Sequence, residues 1–92
     1  MSSYNIVNDY RASENYDLLE NILRGEWGFD GVVTTDWWTM GEHYKEVNAG
    51  NDIKMACGNP ESLLEALNKG LLKRETMEKS VKRLLRVLLK ID

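Results

Sequence analysis

The sequence predicts an α/β fold built from successive strand–helix units. Residues Gly31–Thr35 form a β-branched run without polar/apolar alternation, which is typical of a strand covered on both faces of a parallel sheet. Apolar residues at helical spacing precede and follow this run, so strand and helix candidates alternate along the chain. Three strand candidates would make an incomplete parallel sheet, whose exposed edges must be covered or paired. The sequence is therefore predicted to be a section of a larger fold.

The first part of the chain predicts a short strand and an amphipathic helix. Tyr4–Val7 has moderate strand character and ends at the turn-forming pair Asn8-Asp9. Ser13 or Asn15 can cap the following helix, because either side chain can accept a hydrogen bond from one of its first backbone N–H groups. The apolar stripe of this helix comprises Leu18, Leu19, Ile22 and Leu23, extended by Tyr16 and Trp27.

The rest of the chain predicts three helices and a poorer third strand. A weak helix is expected over about Thr39–Val47, and Asp52–Ala56 is the third strand candidate. Asn59-Pro60 opens the next helix with a capping side chain and a proline at the first helical position, and Gly70 marks its end. The final helix is predicted over about Arg74–Lys90, with an apolar face made of Met77, Val81, Leu84, Leu85 and Leu88.

The composition is that of an ordinary globular protein. The 92 residues include 12 Lys and Arg against 15 Asp and Glu, and 42% are hydrophobic. No apolar run approaches the ~18 residues that span a bilayer, so a soluble protein is expected. Its location stays open, with the cytoplasm slightly favoured because Cys57 is the only cysteine. With one cysteine and one histidine, His43, neither a disulfide nor a structural zinc site can form, and no metal or cofactor is predicted.

Charge is unevenly distributed along the chain. Residues 1–62 carry eleven acidic and four basic residues, and residues 63–92 carry four acidic and eight basic residues, giving −7 and +4. A basic half could indicate nucleic-acid binding. The basic residues lie opposite an apolar stripe, however, and no aromatic residues interleave them for base stacking. We therefore interpret them as a solvated helix face and predict no nucleic-acid or membrane partner.

Asp36 and the tryptophans beside it are the main candidates for chemistry. Asp36 falls one residue past the expected end of the second strand, where functional groups gather in βα folds. A carboxylate next to an indole suits a sugar site, because the acid can attack or stabilise an oxocarbenium-like centre while the ring packs on a pyranose. The alternative is structural, since an aspartate after a strand is often a helix N-cap and paired tryptophans are more often core residues.

The residues around Asp36 also carry a family resemblance. Six stretches carry it: Ser3-Tyr4-Asn5, Ser13-Glu14-Asn15, Glu26-Trp27-Gly28-Phe29-Asp30-Gly31-Val32-Val33, Asp36-Trp37, Ala49-Gly50-Asn51-Asp52 and Val81-Lys82-Arg83-Leu84-Leu85. In these stretches the chain resembles glycoside hydrolase family 3, the β-glucosidases and their relatives. The likeness covers essentially the whole chain and matches the late part of that family's N-terminal-type barrel domain, with the helices after it. The implied fold is α/β, a partial (β/α) barrel segment of about three βα units at residues 1–58, with two C-terminal amphipathic helices at residues 59–92.

The resemblance implies roles for three residues. Asp36 matches the catalytic nucleophile that forms a covalent glycosyl intermediate, Trp37 matches the tryptophan that packs against the sugar, and Tyr4 matches a tyrosine near both. The implied function is that of a retaining β-glycosidase acting on a β-glucoside-type carbohydrate. Thr35 and Trp38 depart from the Ser and Gly that are common in the family, and Trp38 bears on the leaving-group side of the site.

Other residues that the family uses have no counterpart in the chain, among them the general acid/base and the groups that hold the sugar hydroxyls. Glu42, Glu46 and Asp52 are interpreted as surface or helix-stabilising acids, and Asp52 could also hydrogen-bond a neighbouring loop. His43 is interpreted as a solvated helix residue, with a place at the mouth of the site as the alternative. Since proton transfer is worth roughly 10²- to 10⁴-fold, the chain is expected to be inactive alone. The alternative function is a structural module, a partial barrel whose exposed sheet edges and apolar faces drive self-association or pairing with a missing half.

Overall fold

Four helices and one small hairpin make up the regular structure of the described residues. The computed structural model describes residues 1–37, 39–55 and 58–91, so the expectations for Trp38, Ala56 and Cys57 lie outside it. The α/β class holds, with more helix and less strand than expected. The elements in chain order are β1 (Ile6–Val7), β2 (Tyr10–Arg11), a π-helix (Asp17–Glu26), α1 (His43–Ala49), α2 (Pro60–Lys69) and α3 (Arg74–Leu89). A 3₁₀ turn at Ala12–Glu14 lies between β2 and the π-helix.

Strands β1 and β2 form an antiparallel hairpin instead of opening a parallel sheet. Val7 pairs with Tyr10 across the turn. Asn8 and Asp9 both have positive φ, 49° and 72°, as in a type I′ turn, whose twist suits a two-residue hairpin. The turn at these two residues is therefore confirmed. A short strand within Tyr4–Val7 is confirmed as β1, but its predicted place in a parallel sheet is wrong, because the turn sends the chain straight back along itself.

Three extended segments lie side by side in parallel. Ser2 bridges Thr35, and Thr34 bridges Ile53. Ser2 donates its backbone N–H to the Thr34 carbonyl at 2.8 Å, and Thr35 donates to the Ile53 carbonyl at 2.9 Å. The second and third predicted strands are thus parallel neighbours. Neighbouring segments share only a few ladder hydrogen bonds, so the predicted sheet is reduced to isolated bridges. The segment at Ser2 takes the place predicted for the first strand.

The π-helix begins at the predicted cap but winds differently from an α-helix. The Asn15 side-chain oxygen accepts from the backbone N–H of Leu18 at 3.1 Å. At the other end, the N–H of Trp27 reaches the carbonyl of Ile22, five residues back, at 2.9 Å. This spacing widens the turn and changes which residues share a face. Trp27 is 72% exposed and Tyr16 is also exposed, so their predicted place in the apolar stripe is wrong.

Helices α2 and α3 match their predicted ranges, whereas α1 starts late. The Asn59 side chain caps α2 by accepting from the N–H of Ser62 at 3.1 Å, and Gly70 ends it in the left-handed region, at φ 76°. α1 begins at His43 and not at Thr39. The residue before His43 is extended, at φ −77° and ψ 134°, because the loop ahead of α1 is held by side-chain contacts described below.

Two small apolar clusters form the core. The first combines Leu19, Val33 and Ala49, with Leu23 packed against it, and the second combines Val47, Ala66 and Leu72, with Tyr44, Leu63, Leu67 and Met77. Most of the predicted apolar face of α3 contributes to neither cluster. Val81, Leu85 and Leu88 are each about half exposed or more. The inner side of α3 is instead attached through polar contacts.

The carboxylate of Asp52 makes those polar contacts. Its side chain is fully buried, and it lies in the third extended segment. Its donors come from three parts of the chain: Arg83 Nη2 and Ser80 Oγ of α3, both at 2.7 Å, Arg24 Nη2 of the π-helix at 3.0 Å, and the backbone N–H of Val33 at 3.1 Å. Two guanidinium groups and two further donors compensate the buried charge, which makes this network the main polar tie of the fold.

Replacing Asp52 by Asn should destabilise the chain by about 3 kcal/mol, because the largely buried guanidinium group of Arg83 loses its counter-charge. The guanidinium group of Arg24 also loses this partner but keeps its pairing with Glu20, at 3.3 Å. Urea unfolding followed by circular dichroism measures the loss. The matched control is Glu78→Gln, which weakens the exposed 3.0 Å ion pair with Arg74 and should cost less than about 0.5 kcal/mol. A loss for Asp52→Asn no larger than that of the control would contradict the assignment.

Candidate functional site

Asp36 directly follows the central extended segment, at its carboxyl end. Its backbone N–H donates to the Ser2 carbonyl at 2.9 Å, which continues the parallel bridge at Thr35. Its side-chain Oδ1 accepts from the N–H of Trp37 at 2.7 Å, and the residue is half-buried. The sequence-predicted position at a strand end is confirmed. The hydrogen bond from the Trp37 N–H closes a turn, and this turn holds the Asp36 carboxylate in one orientation at the end of the segment.

The structural alternative for Asp36, a helix N-cap, is wrong. The next helix is α1, which begins at His43, and Glu42 occupies its N-cap position without a side-chain cap bond. The Asp36 side chain instead bonds to the residue next to it. The carboxylate is therefore placed by the segment and the turn, and capping does not account for it.

Tyr4 and Trp37 each follow the bridge that precedes Asp36. The bridge joins Ser2 to Thr35 in the parallel direction, and Tyr4 and Trp37 come two positions after these residues along the chain. The two aromatic residues are 49% and 52% exposed, so neither is a core residue. The structural alternative of a core tryptophan is therefore wrong for Trp37.

His43 joins two helices and is not the solvated residue that the sequence predicts. Its Nδ1 accepts from the backbone N–H of Asn59 at 3.0 Å, which ties the start of α1 to the cap of α2. The half-buried ring lines a cavity of about 400 Å³, together with Lys54 and Glu65. Burial, and after it the positive charge of Lys54, lower the pKa of His43 below its ordinary value of 6.5.

Two of the three acids expected at the surface are buried. The Glu46 and Asp52 side chains are fully buried, and Glu46 pairs with Lys54, while Glu42 is exposed as predicted. Sequence reasoning also missed Lys54 as a contact of the loop after Asp36. The available signal was a lone basic residue inside a strand candidate, which needs a counter-charge if it is covered.

Buried polar groups also hold the segment at Ser2. Its hydroxyl donates to the side-chain oxygen of Asn51 at 2.8 Å, and both residues are buried. The amide nitrogen of Asn51 donates in turn to the carbonyls of Ser13 and Glu46. This network anchors the segment that accepts the Asp36 N–H.

Within the described ranges, no helix is long and apolar enough to cross a membrane.

Comparison with known proteins finds relatives over nearly the whole chain. A family model, the glycosyl hydrolase family 3 N terminal domain, matches residues 1–87. The chain is 67% identical over 76 residues to beta-glucosidase A of Butyrivibrio fibrisolvens and 43% identical over 91 residues to a beta-glucosidase of Rhizobium radiobacter. These alignments cover 83% and 96% of this chain but 9% and 11% of the relatives. The chain therefore spans about a tenth of their length.

A solved structure shares the arrangement of elements. Beta-glucosidase 3B from Thermotoga neapolitana, in complex with α-D-glucose, superposes with a TM-score of 0.87 at 32% identity, over 96% of this chain and 14% of that one. The family match to residues 1–87 includes α2 and nearly all of α3. The match therefore assigns the chain to the family's N-terminal domain, and α2 and α3 belong to that domain. The expectation of a late part of the domain, followed by two helices outside it, is wrong.

The lowered pKa of His43 predicts a loss of stability as the pH falls. The unfolded state takes up the proton first, at about pH 6.5, and protonated Nδ1 can no longer accept from Asn59. The free energy of unfolding should therefore be retained above the unfolded-state pKa of about 6.5 and decrease as the pH falls below it, before the range in which carboxyl groups take up protons.

The chain has one histidine, so its NMR titration reads the pKa of His43 directly. His43→Gln is the control, because an amide does not titrate and the decrease over this pH range should disappear. A titration midpoint at or above 6.5 would contradict the prediction.

Proposed function

The chain belongs to glycosyl hydrolase family 3, and we propose that it is a piece of a retaining β-glycosidase in which Asp36 is the catalytic nucleophile. The observation that carries the proposal is the position of the Asp36 carboxylate, half-buried at the end of the central extended segment. The relatives named beta-glucosidases make a β-glucoside the proposed substrate class. Residues 1–58 supply the strand–helix part of the piece, and residues 59–92 its closing helices.

The proposed chemistry follows from what each side chain can do. Asp36 attacks the anomeric carbon and displaces the leaving-group oxygen, and water then hydrolyses the covalent glycosyl intermediate. The N–H of Trp37 at 2.7 Å keeps the carboxylate oriented for that attack. The half-exposed rings of Trp37 and Tyr4 offer flat apolar faces on which a sugar ring can pack.

The piece alone is proposed to be inactive. A retaining enzyme needs a second carboxyl roughly 5 Å from the nucleophile, to protonate the leaving group. Glu46 and Asp52 are fully buried and held by Lys54 and by two arginines, so neither can move to protonate a leaving group. Within this proposal the acid/base therefore comes from a part of the parent outside the described residues.

A graft into a whole relative tests the proposal. In the Butyrivibrio fibrisolvens beta-glucosidase A, the matching 76-residue segment is replaced by the residues of this chain. Wherever the 76 aligned residues begin within the 92-residue chain, they include residues 17–76, and therefore Asp36. We expect the graft to hydrolyse an aryl β-glucoside, and Asp36→Asn in the graft to lower kcat by about 10⁴-fold. The isolated chain should show no turnover above buffer.

The matched control is Asp30→Asn, which makes the same chemical change at an exposed position six residues earlier and should leave kcat within about twofold. A graft that keeps its activity after Asp36→Asn would overturn the nucleophile assignment. Turnover by the isolated chain that Asp36→Asn abolishes would overturn the proposed inactivity.

The exposed apolar face of α3 supports a second candidate function, a module that self-associates. Val81, Leu85 and Leu88 recur at helical spacing and remain about half exposed or more. Such a stripe is unusual on the surface of a monomer and marks a packing surface. In this proposal a second copy packs against α3 when the remainder of a parent is absent.

Sedimentation of the isolated chain tests this second candidate. We expect concentration-dependent dimers, which Leu85→Lys should abolish because it places a charge in the middle of the stripe. The matched control is Ile6→Lys, which makes a similar change at another exposed position, in β1, and should leave the dimer intact. A wild-type chain that stays monomeric at high concentration would contradict self-association.

A further inference from the structure

The loop after Asp36 is built around a buried ion pair that sequence reasoning missed. Glu46 of α1 is fully buried, and Lys54 donates to its carboxylate. The hydroxyl of Thr39 donates to the other carboxylate oxygen at 2.7 Å. Lys54 Nζ also lies 3.2 Å from the Thr39 hydroxyl and 3.4 Å from the carbonyl oxygen of Gly41. Both members of the pair therefore hold residues 39–41, which lie just before α1.

The loop residue Gly41 packs closely on Glu46. A Cβ atom at Gly41 would lie 2.8 Å from Glu46 Oε2, closer than real Cβ atoms approach, and 3.1 Å from Glu14 Cγ, a tight contact. The backbone N–H of Glu42 is also held, donating to Glu14 Oε2 at 3.0 Å. Thr39, Gly41 and Glu42 are thus each held by a contact. This packing also explains why α1 starts later than the sequence predicts.

Lys54 is also joined to the residues before Asp36. Its neighbour Ile53 accepts the backbone N–H of Thr35 at 2.9 Å, and its other neighbour, Met55, donates to the Thr35 hydroxyl at 3.0 Å. The main chain around Lys54 therefore supports the residue before Asp36, while its side chain holds the loop after it. Contacts on both sides of Asp36 therefore come from the three consecutive residues 53–55.

We propose that Lys54 and Glu46 are positioning residues, which set the orientation of Asp36 and of the Trp37 ring for the reaction. This inference rests on the proposed function of Asp36. A buried ion pair contributes little net stability compared with uncharged residues of similar volume. A displacement of a reacting group by about 1 Å, in contrast, can cost 10²-fold in rate. The pair therefore acts mainly on geometry.

The first arm of the test uses the 92-residue chain. Glu46→Gln combined with Lys54→Met removes both charges and leaves no buried charge unpaired. We expect amide hydrogen exchange at residues 39–42 to become at least about tenfold faster, and the Trp37 indole signal to move. The control is Lys45→Met on the same helix, which removes an exposed 3.6 Å pair with Glu42 and should change neither signal.

The second arm uses the graft described above. We expect kcat of the double variant to fall by about 10- to 100-fold while its unfolding midpoint stays near that of the unsubstituted graft. Lys54→Arg, which keeps the charge and the donors, should retain most of the activity. A variant that is only less stable would instead show a lower unfolding midpoint together with its lower kcat.

Unchanged exchange at residues 39–42, or an unchanged kcat, in the double variant would overturn the inference. An unsubstituted graft without activity would instead overturn the proposed function of Asp36, and the exchange arm would still decide whether the pair holds the loop. If the double variant fails to fold, Thr39→Val replaces it in both arms, since it removes one contact of Glu46 and no charge.

Discussion

The buried carboxylate of Asp52 is the interaction on which the rest of the fold depends. The three extended segments share only isolated bridges, and the two apolar clusters are small. Asp52 compensates for this by binding the π-helix through Arg24, α3 through Arg83, and the central segment through the N–H of Val33. Arg24 continues the network to the carbonyl oxygens at residues 31 and 50. A limited core is thus held in place by charge-assisted hydrogen bonds.

The chain uses its two buried acids for different purposes. Asp52 collects donors from three separate elements, so its loss would separate those elements. The Glu46 carboxylate joins one loop residue, Thr39, to Lys54 of the third extended segment, so its loss would change the path of that loop while the elements stay in place. Asp36 lies between the two networks, three residues after Val33 and three before Thr39. Its setting therefore combines a supported strand end with a constrained loop.

Local signals in the sequence predicted the structure well, and distant pairings could not be predicted. Asn59 caps α2 and Gly70 ends it as expected, because a cap depends only on residues within one turn. Asp52 and Arg83 are 31 positions apart, and one sequence gives no reason to pair them, so the sequence predicts for Asp52 a surface or helix-stabilising role, or at most a hydrogen bond to a neighbouring loop. The Asp36 position was predictable, because strand ends are local features. The loop after it was not, because its path depends on the buried pair.

Helix α3 departs from the usual arrangement of an amphipathic helix. Its inner side is attached both by Met77, which packs on the second apolar cluster, and by Ser80 and Arg83, which bind Asp52. Val81, Leu85 and Leu88 of the predicted apolar face are largely exposed. The same Asp52 carboxylate accepts the N–H of Val33, which leads along the central segment to Asp36. One carboxylate therefore binds both the helix that carries the exposed stripe and the segment that ends at Asp36. The relative placement of the two candidate surfaces is set by Asp52.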